Sequence, residues 1–256
     1  DVYKRQVTIL AERWPLKRFE MFRDGFLKLG YTVNHKPVMA DMLVIWNRYR
    51  EGGKLADEFE AEMNGVLVAE NAYISPDSAG RKYTALSRTG HNGSGYTPYG
   101  GPERWARMEV DLHSWRKTGD WILLCAQRGL GAPGMAMPPE FMEGMRDMLM
   151  KTTGCHIEMR DPPSRHQNQR ALEELWPLLK GVVVWTSNMA TRALLEGVPA
   201  YYMGPHHIMA GAAINGVDKI LEPTHTDREA AFRRLAWAQW TREEIESGGA
   251  LKWLGC

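Results

Sequence analysis

The sequence predicts an α/β fold of two successive lobes, each a mainly parallel sheet with helices on its faces. Three features carry that prediction. Short apolar runs alternate with stretches of helical period; the rhythm breaks once, over residues 75–101; and it then restarts and continues toward the C-terminus. Strands that alternate with helices imply crossover units and a parallel sheet rather than a sandwich or a bundle.

Val7 to Ala11 is the first short strand. Pro15 to Leu29 reads as a helix, with Leu16, Phe19, Phe22, Phe26 and Leu29 at helical spacing, Pro15 suited to its first turn and Gly30 to its stop. Thr32 to Asn34 and Met42 to Trp46 are strands, Glu51 to Met63 a helix, and Val66 to Ala69 a strand after the Asn64-Gly65 turn. Residues 75–101, rich in Gly, Ser, Thr and Tyr, read as a long functional loop that contains Gly90-His91-Asn92-Gly93-Ser94-Gly95. Gly119-Asp120 is the expected lobe boundary. Beyond it come strands Trp121 to Ala126, His156 to Met159, Gly181 to Trp185 and Ala200 to Met203. Between and after them lie helices Pro139 to Lys151, Gln167 to Leu179, Met189 to Glu196 and a largely helical Asp227 to Ser247. The expected division is therefore residues 7–118, 119–226 and a helical 227–256. Asp1 to Gln6 resembles a translated sequencing-library adapter of the kind found at the ends of metagenomic fragments, and is set apart from charge arguments.

Composition narrows the function classes. Lys and Arg number 32 against 31 Asp and Glu, so nucleic-acid binding would require a local patch. Cys125, Cys155 and Cys256 have no metal-type spacing and suit a reducing, cytoplasmic compartment. No apolar run reaches transmembrane length and no signal-peptide pattern is visible, so no membrane partner is expected. The chain lacks a GxxxxGK[ST] phosphate loop, a GxGxxG after the first strand and a GxSxG elbow. Cys155-His156 and His206-His207 do not have metal spacing, and no metal is expected.

Ligands of such sheets sit beyond the carboxyl ends of the strands, where Glu12, Asn47 and Glu70 fall in the first lobe. The strongest local signal is in the second lobe: Val182 to Val184 lead into Trp185-Thr186-Ser187-Asn188 and then a helix. Free amides at a helix start favour an anion such as a diphosphate; the same three polar residues also suit plain helix capping. Arg128 and Arg160 follow two neighbouring strands, and Gln127, Gly129 and Gly131 can bring backbone amides near phosphate. Arg192, His206 and His207 complete the expected donor-binding set. For transfer to a hydroxyl a general base is needed. Glu70 is the first candidate, His91 the second and Asp111 a distant third; Glu70 reads equally as a structural carboxylate and His91 as an exposed loop residue. Two basic groups mark the first lobe. One is Arg13, Lys17, Arg18, Arg23, Lys28 and Lys36; the other is Arg81, Lys82, Arg88, Arg104 and Arg107, interleaved with tyrosines. They suit a phosphate backbone with stacked bases, or a solvated face.

The segment Ser187 to Pro199, with Ala193-Leu194-Leu195-Glu196-Gly197-Val198-Pro199, resembles the donor-lobe pattern of GT-B glycosyltransferases, which have two Rossmann-like lobes and a central cleft. More narrowly, Leu67 to Ile74, Asn92-Gly93, that donor segment, and Leu235 to Thr241 with Glu244-Ile245 and Gly248 are similar to short phage-encoded glycosyltransferases. Arg192 stands where those relatives carry an acid, and of their Arg-Pro-His-Pro turn only Arg160 carries over. The resemblance implies a hexose donor such as UDP-glucose, with no cofactor required beyond the nucleotide sugar. It also implies double-stranded DNA bearing 5-hydroxymethylpyrimidine, 5-hydroxymethylcytosine above all, as acceptor, with the base flipped out. Arg81, Lys82, Arg88, Asn92 and Tyr96 would hold that acceptor, in a monomer or weak dimer in the host cytoplasm. A cell-surface polysaccharide or lipid-linked glycan acceptor, and a non-catalytic scaffold of the same fold, are the alternatives.

Overall fold

The computed structural model describes residues 4–11, 14–117, 119–129, 135–162, 169–222 and 225–256. The chain divides into two compact units: residues 1–110 with 233–256, and residues 111–232. In the first unit β1 (Gln6–Ile9), α1 (Leu16–Lys28), β2 (Thr32–Asn34), β3 (Met42–Trp46), α2 (Glu51–Ala61), β4 (Gly65–Asn71), β5 (Tyr83–Arg88) and α3 (Glu103–Met108) follow in order. The second unit holds β6 (Trp121–Cys125), α4 (Phe141–Thr153), β7 (His156–Arg160), α5 (Leu172–Leu175), a 3-10 turn Trp176–Leu178, β8 (Leu179–Val184), α6 (Met189–Leu195), β9 (Ala200–Tyr202) and β10 (Ile214–Asn215). Helix α7 (Arg228–Ala236) carries the chain back, and β11 (Gln239–Thr241), α8 (Arg242–Glu246) and α9 (Gly249–Trp253) belong to the first unit.

The first sheet runs β2-β1-β3-β4-β5-β11. Its first four strands are parallel, β5 opposes β4, and β11 opposes β5. Both faces are covered, as the sequence alternation requires. Val7, Ile9, Val44, Leu67 and Ala69 pack with Phe22 and Phe26 of α1 and with Ile245 and Leu251 of the returning helices. Leu43, Ile45, Val66 and Val68 point the other way, onto Ala56 and Phe59 of α2. Gly25 is where α1 meets α8: a Cβ there would stand 2.2 Å from the Ile245 carbonyl oxygen.

The second sheet runs β7-β6-β8-β9-β10, all parallel, the doubly wound order. Ile122, Leu124 and Val183 pack on Phe141, Met145 and Leu149 of α4. The entry to this unit is tied down by Arg228, which donates to the Leu194 carbonyl at 2.6 Å and to the His113 carbonyl, and lies 4.0 Å over the Trp115 ring.

The returning segment is locked by two buried polar side chains. Arg104, 6 % exposed, donates to the Ala236 and Gln239 carbonyls at 3.0 and 2.9 Å and to both Glu244 oxygens at 2.6 and 3.0 Å. Its guanidinium lies 3.8 Å from the Trp240 ring centre. Gln239 accepts from the Tyr73 and Ile74 amides at 3.1 Å and donates to the Ile74 carbonyl at 3.0 Å.

The structure departs from the sequence expectations in several elements: α3 and β10 are additions, and the helix expected up to Leu179 ends in a 3-10 turn before β8. Residues 75–101 contain β5, an antiparallel strand, rather than loop alone. The unit boundary falls at Val110/Asp111, ahead of Gly119. Asp227 to Ser247 is interrupted by β11, so this segment completes a sheet rather than only capping the fold with helix. Within the segment set apart in the sequence, Gln6 opens β1 and the Thr32 amide donates to the Arg5 carbonyl at 2.9 Å. Glu12, Arg13, Gly131, Pro163 and the start of the helix expected from Gln167 lie outside the described residues. No helix among the described residues is long and apolar enough to cross a membrane.

Burial alone would raise the Glu244 carboxyl, but Arg104 and the Thr241 amide hold it below its ordinary value. A depressed carboxyl stabilises the fold above the unfolded glutamate value, and that stability disappears as pH falls through the folded value. Glu244→Gln is therefore expected to lower the unfolding free energy at neutral pH by on the order of 2 kcal/mol, a figure reduced for partial exposure. In urea titrations the gap to wild type should close in acid; a gap unchanged down to the acid limit of folding refutes this account.

Candidate functional site

In the second unit the crossovers leave β6 in opposite directions, to β7 on one side and β8 on the other, so the switch point lies at the carboxyl ends of β6 and β8. Cys125 is in register with both Arg160 and Val184, which sets the three strand ends side by side. Gln127 spans the switch point. Its Oε1 accepts from the Thr186 amide at 2.6 Å, and its Nε2 donates to Thr186 Oγ1 at 3.2 Å. The Ala126 amide donates to the Arg160 carbonyl at 2.8 Å, and the Trp185 indole donates to the Met135 carbonyl at 2.9 Å. Arg128 and Gly129 are exposed beside this edge, and Arg160 donates to the Arg170 carbonyl at 2.9 Å.

The polar triplet divides its work. Ser187 Oγ accepts from the Met189 amide at 3.3 Å and so caps α6, while Thr186 turns to Gln127. Asn188, at the N-cap position, makes no side-chain cap bond to α6. A helix of seven residues has little dipole, so the charge at this edge comes from Arg128 and Arg160 more than from α6. Arg192 lies exposed on α6, 3.3 Å from Glu173. Gly204 packs directly against Thr186, where a Cβ would stand 2.2 Å from its methyl carbon.

His207 is a correction to the expected donor set. It is 1 % exposed; its Nδ1 accepts from the Met209 amide at 3.1 Å, and its Nε2 lies 3.1 Å from the Ser187 carbonyl, to which it donates in that tautomer. With both nitrogens committed, His207 ties the turn after β9 to the turn after β8 and has none left for a donor. Burial depresses its pKa to about 4, with the Ser187 carbonyl opposing. His206 is half-buried beside it.

The two candidate bases sit on neighbouring strands of the first unit: Glu70 near the carboxyl end of β4, and His91 in the turn after antiparallel β5, which starts beside Val66. Glu70 lies near the end of β4 and accepts its neighbour's amide, Asn71, at 2.9 Å. Its charge acts through space on His91, Arg18 and Tyr73. His91 opens the turn after β5, where its amide donates to Ser94 Oγ at 3.0 Å and the Asn92 amide donates to the Tyr73 hydroxyl at 2.9 Å. Its Nδ1 is buried with no partner among the described residues. Burial lowers the His91 pKa and the Glu70 carboxylate partly restores it; the net shift is downward, so the imidazole is neutral at pH 7 and can accept a proton. Arg48 fixes the base of this turn, donating to the Thr89 carbonyl at 2.5 Å while paired with Asp57 and Glu60 on α2.

Arg18, Tyr73 and Arg48 were not singled out as site residues by sequence. Arg18 lies 3.5 Å over the Trp46 ring, which stands edge-on to Trp14. The pattern of residues gave no sign that this arginine leaves the solvated helix face for an aromatic plane. Asp111, the third candidate base, falls in the other unit.

Two of the five expected acceptor residues, Arg81 and Arg88, are committed elsewhere. Arg88 donates to the Leu254 and Gly255 carbonyls at 3.2 and 3.1 Å and holds the returning segment. Arg81 is paired with Asp77 at 2.7 Å and donates to the Arg107 carbonyl. Arg104, counted with the same basic group, is the buried lock described above. Lys82 and Tyr96 are exposed and Asn92 is half-buried. Among the described residues no group of three or more His, Cys, Asp or Glu is placed to hold a metal ion.

Two Rossmann-like units with parallel sheets define a GT-B-like fold. Two solved structures are similar over nearly the whole chain. One is the KpsC beta Kdo 2,4 transferase of Thermosulfurimonas dismutans, 12 % identical with a TM-score of 0.61, covering 93 % of this chain and 92 % of that one. The other is the KpsC beta Kdo 2,7 transferase of the same organism, 13 % identical with a TM-score of 0.57, covering 98 % and 100 %. At these identities the likeness is one of fold. No protein-family model matches the chain, and no curated protein does.

The His207 environment makes a pH-dependent prediction. A histidine kept neutral by burial contributes stability above its unfolded value of 6.5 that is lost as pH falls toward about 4. Over that interval wild type is expected to lose on the order of 2–3 kcal/mol more stability than His207→Gln. Parallel acid profiles in chemical denaturation would contradict the buried neutral state.

Proposed function

We propose that this chain transfers a sugar from a nucleotide-sugar donor to a hydroxyl acceptor. The observation that carries the proposal is the Gln127–Thr186 pair at the β6/β8 switch point, with Arg128 and Arg160 at the same edge. A diphosphate leaving group needs preorganised donors and positive charge, and this edge offers a fixed side-chain amide and two guanidinium groups. The two structures of similar fold are Kdo transferases, which supports sugar transfer as the chemistry. Glu70 and His91 supply the base: the neutral imidazole takes the hydroxyl proton, and the carboxylate beside it stabilises the imidazolium that forms. A UDP-sugar is the donor this reading favours, and UDP-glucose is its simplest case.

For the acceptor, the internal commitments of Arg88 and Arg104 favour a glycan hydroxyl over a phosphate backbone. A second reading, hydroxymethylated DNA, draws on the likeness to phage enzymes and on the exposed Lys82, Arg107, Tyr96 and Tyr99.

The test is incubation with a panel of nucleotide sugars and two acceptor classes, short glycans and 5-hydroxymethylcytosine duplexes, read by nucleoside diphosphate release and product mass. Glu70→Gln and His91→Gln are each expected to lower transfer by about 10²–10⁴-fold, with unchanged thermal stabilisation by UDP. The acid limb of the rate should have its midpoint below the ordinary histidine value of 6.5 and should vanish in His91→Gln. Absence of diphosphate release with every donor would end the proposal.

A further inference from the structure

A second polar recess lies along the first sheet. It is a cavity of about 210 Å3 lined by Arg81, Tyr83, Arg104, Arg107, Thr241 and Glu244, with Met108 at its floor. Thr241 is in register with Tyr83, and Thr84 with Asn71, so the cavity sits at the carboxyl edge of the sheet, two strands along from Glu70. That separation is roughly 10 Å at ordinary strand spacing.

The charges around it divide unevenly. Glu244 is committed to Arg104 through two hydrogen bonds. Asp77 is committed to Arg81 Nε and to the Tyr83 hydroxyl, both at 2.7 Å. Glu109 acts on Arg81 only through space. Arg107, exposed in the last turn of α3, has no ion pair among the described residues, and Arg81 keeps Nη1 without a bonded partner there. Two guanidinium groups with donors to spare thus face a recess large enough for about seven waters.

We infer that this cavity binds one oxyanion, a carboxylate or phosphate carried by a short acceptor, through Arg107 and Arg81. The acceptor role rests on the sugar-transfer reading above; the anion site itself does not. Arg107 recognises the charge and Arg81, held rigid by Asp77, orients it. A single charged group fits better than a polynucleotide backbone, because a backbone needs a train of free cations and the neighbouring Arg88 and Arg104 are used inside the fold.

Calorimetry on the full chain with inorganic phosphate, glucuronate, glucose and an unmodified DNA duplex tests the assignment. Saturable binding of phosphate and glucuronate but not glucose is expected. It should weaken by about tenfold or more in Arg107→Gln, as loss of a charged hydrogen bond implies. Arg107 is exposed, so the variant is expected to fold, and an unchanged melting temperature of the free protein checks this. No saturable anion binding by wild type, or equal binding by Arg107→Gln, overturns the inference. So does duplex binding that depends on Arg107 while glucuronate does not bind. Sugar transfer measured in parallel separates the two claims: anion binding without any transfer sinks only the reading of function, and transfer without anion binding sinks only this site.

Discussion

Everything placed at the working edge of the first unit depends on one buried guanidinium. Arg104 would be expensive to bury alone, and it is tolerable because two carbonyls, a carboxylate and an indole face surround it. Those partners all lie between Ala236 and Glu244, in the returning segment. By fixing that segment, Arg104 also fixes Gln239, and Gln239 in turn holds the backbone of Tyr73 and Ile74 immediately after Glu70. The position of the candidate base is therefore set by residues far away in sequence.

The two units solve a common problem by related means. Each must hold a turn at the carboxyl end of a strand, where backbone amides have lost their ladder partners. Each uses a glutamine side chain from another strand or strand end: Gln239 for the turn after β4, Gln127 for the turn after β8. What differs is the chemistry displayed around the held turn. One edge shows a carboxylate and a neutral imidazole, the other two arginines over a fixed amide.

Much of this was legible in the residues. The central parallel strands are legible because they are buried on both faces and read as unbroken apolar runs, as Met42 to Trp46 and Val182 to Val184 do, whereas the two-residue edge strand β10 carries no such run. β5 was missed because it is antiparallel and short, and its Tyr83-Thr84 start sits in a Gly- and Ser-rich stretch. β11 was missed because Gln239-Trp240-Thr241 carries no alternation long enough to separate it from its helical neighbours. Glu70 and His91 were named separately from strand position and residue type; that they share one neighbourhood required the fold. Charge was the least legible property. Arg88 and Arg104 look like surface cations in sequence, and only tertiary packing shows that backbone carbonyls consume their donors.

The path of the chain has a further consequence. Since residues 233–256 complete the sheet that residues 1–110 begin, the second unit is in effect an insertion into the first. During synthesis the edge of β5 stays unpaired until residues 239–241 have emerged, whereas residues 111–232 are contiguous and have all their strands beforehand. Residues 233–256 thus act as a closing latch, and the contiguous unit can be finished before the one it interrupts.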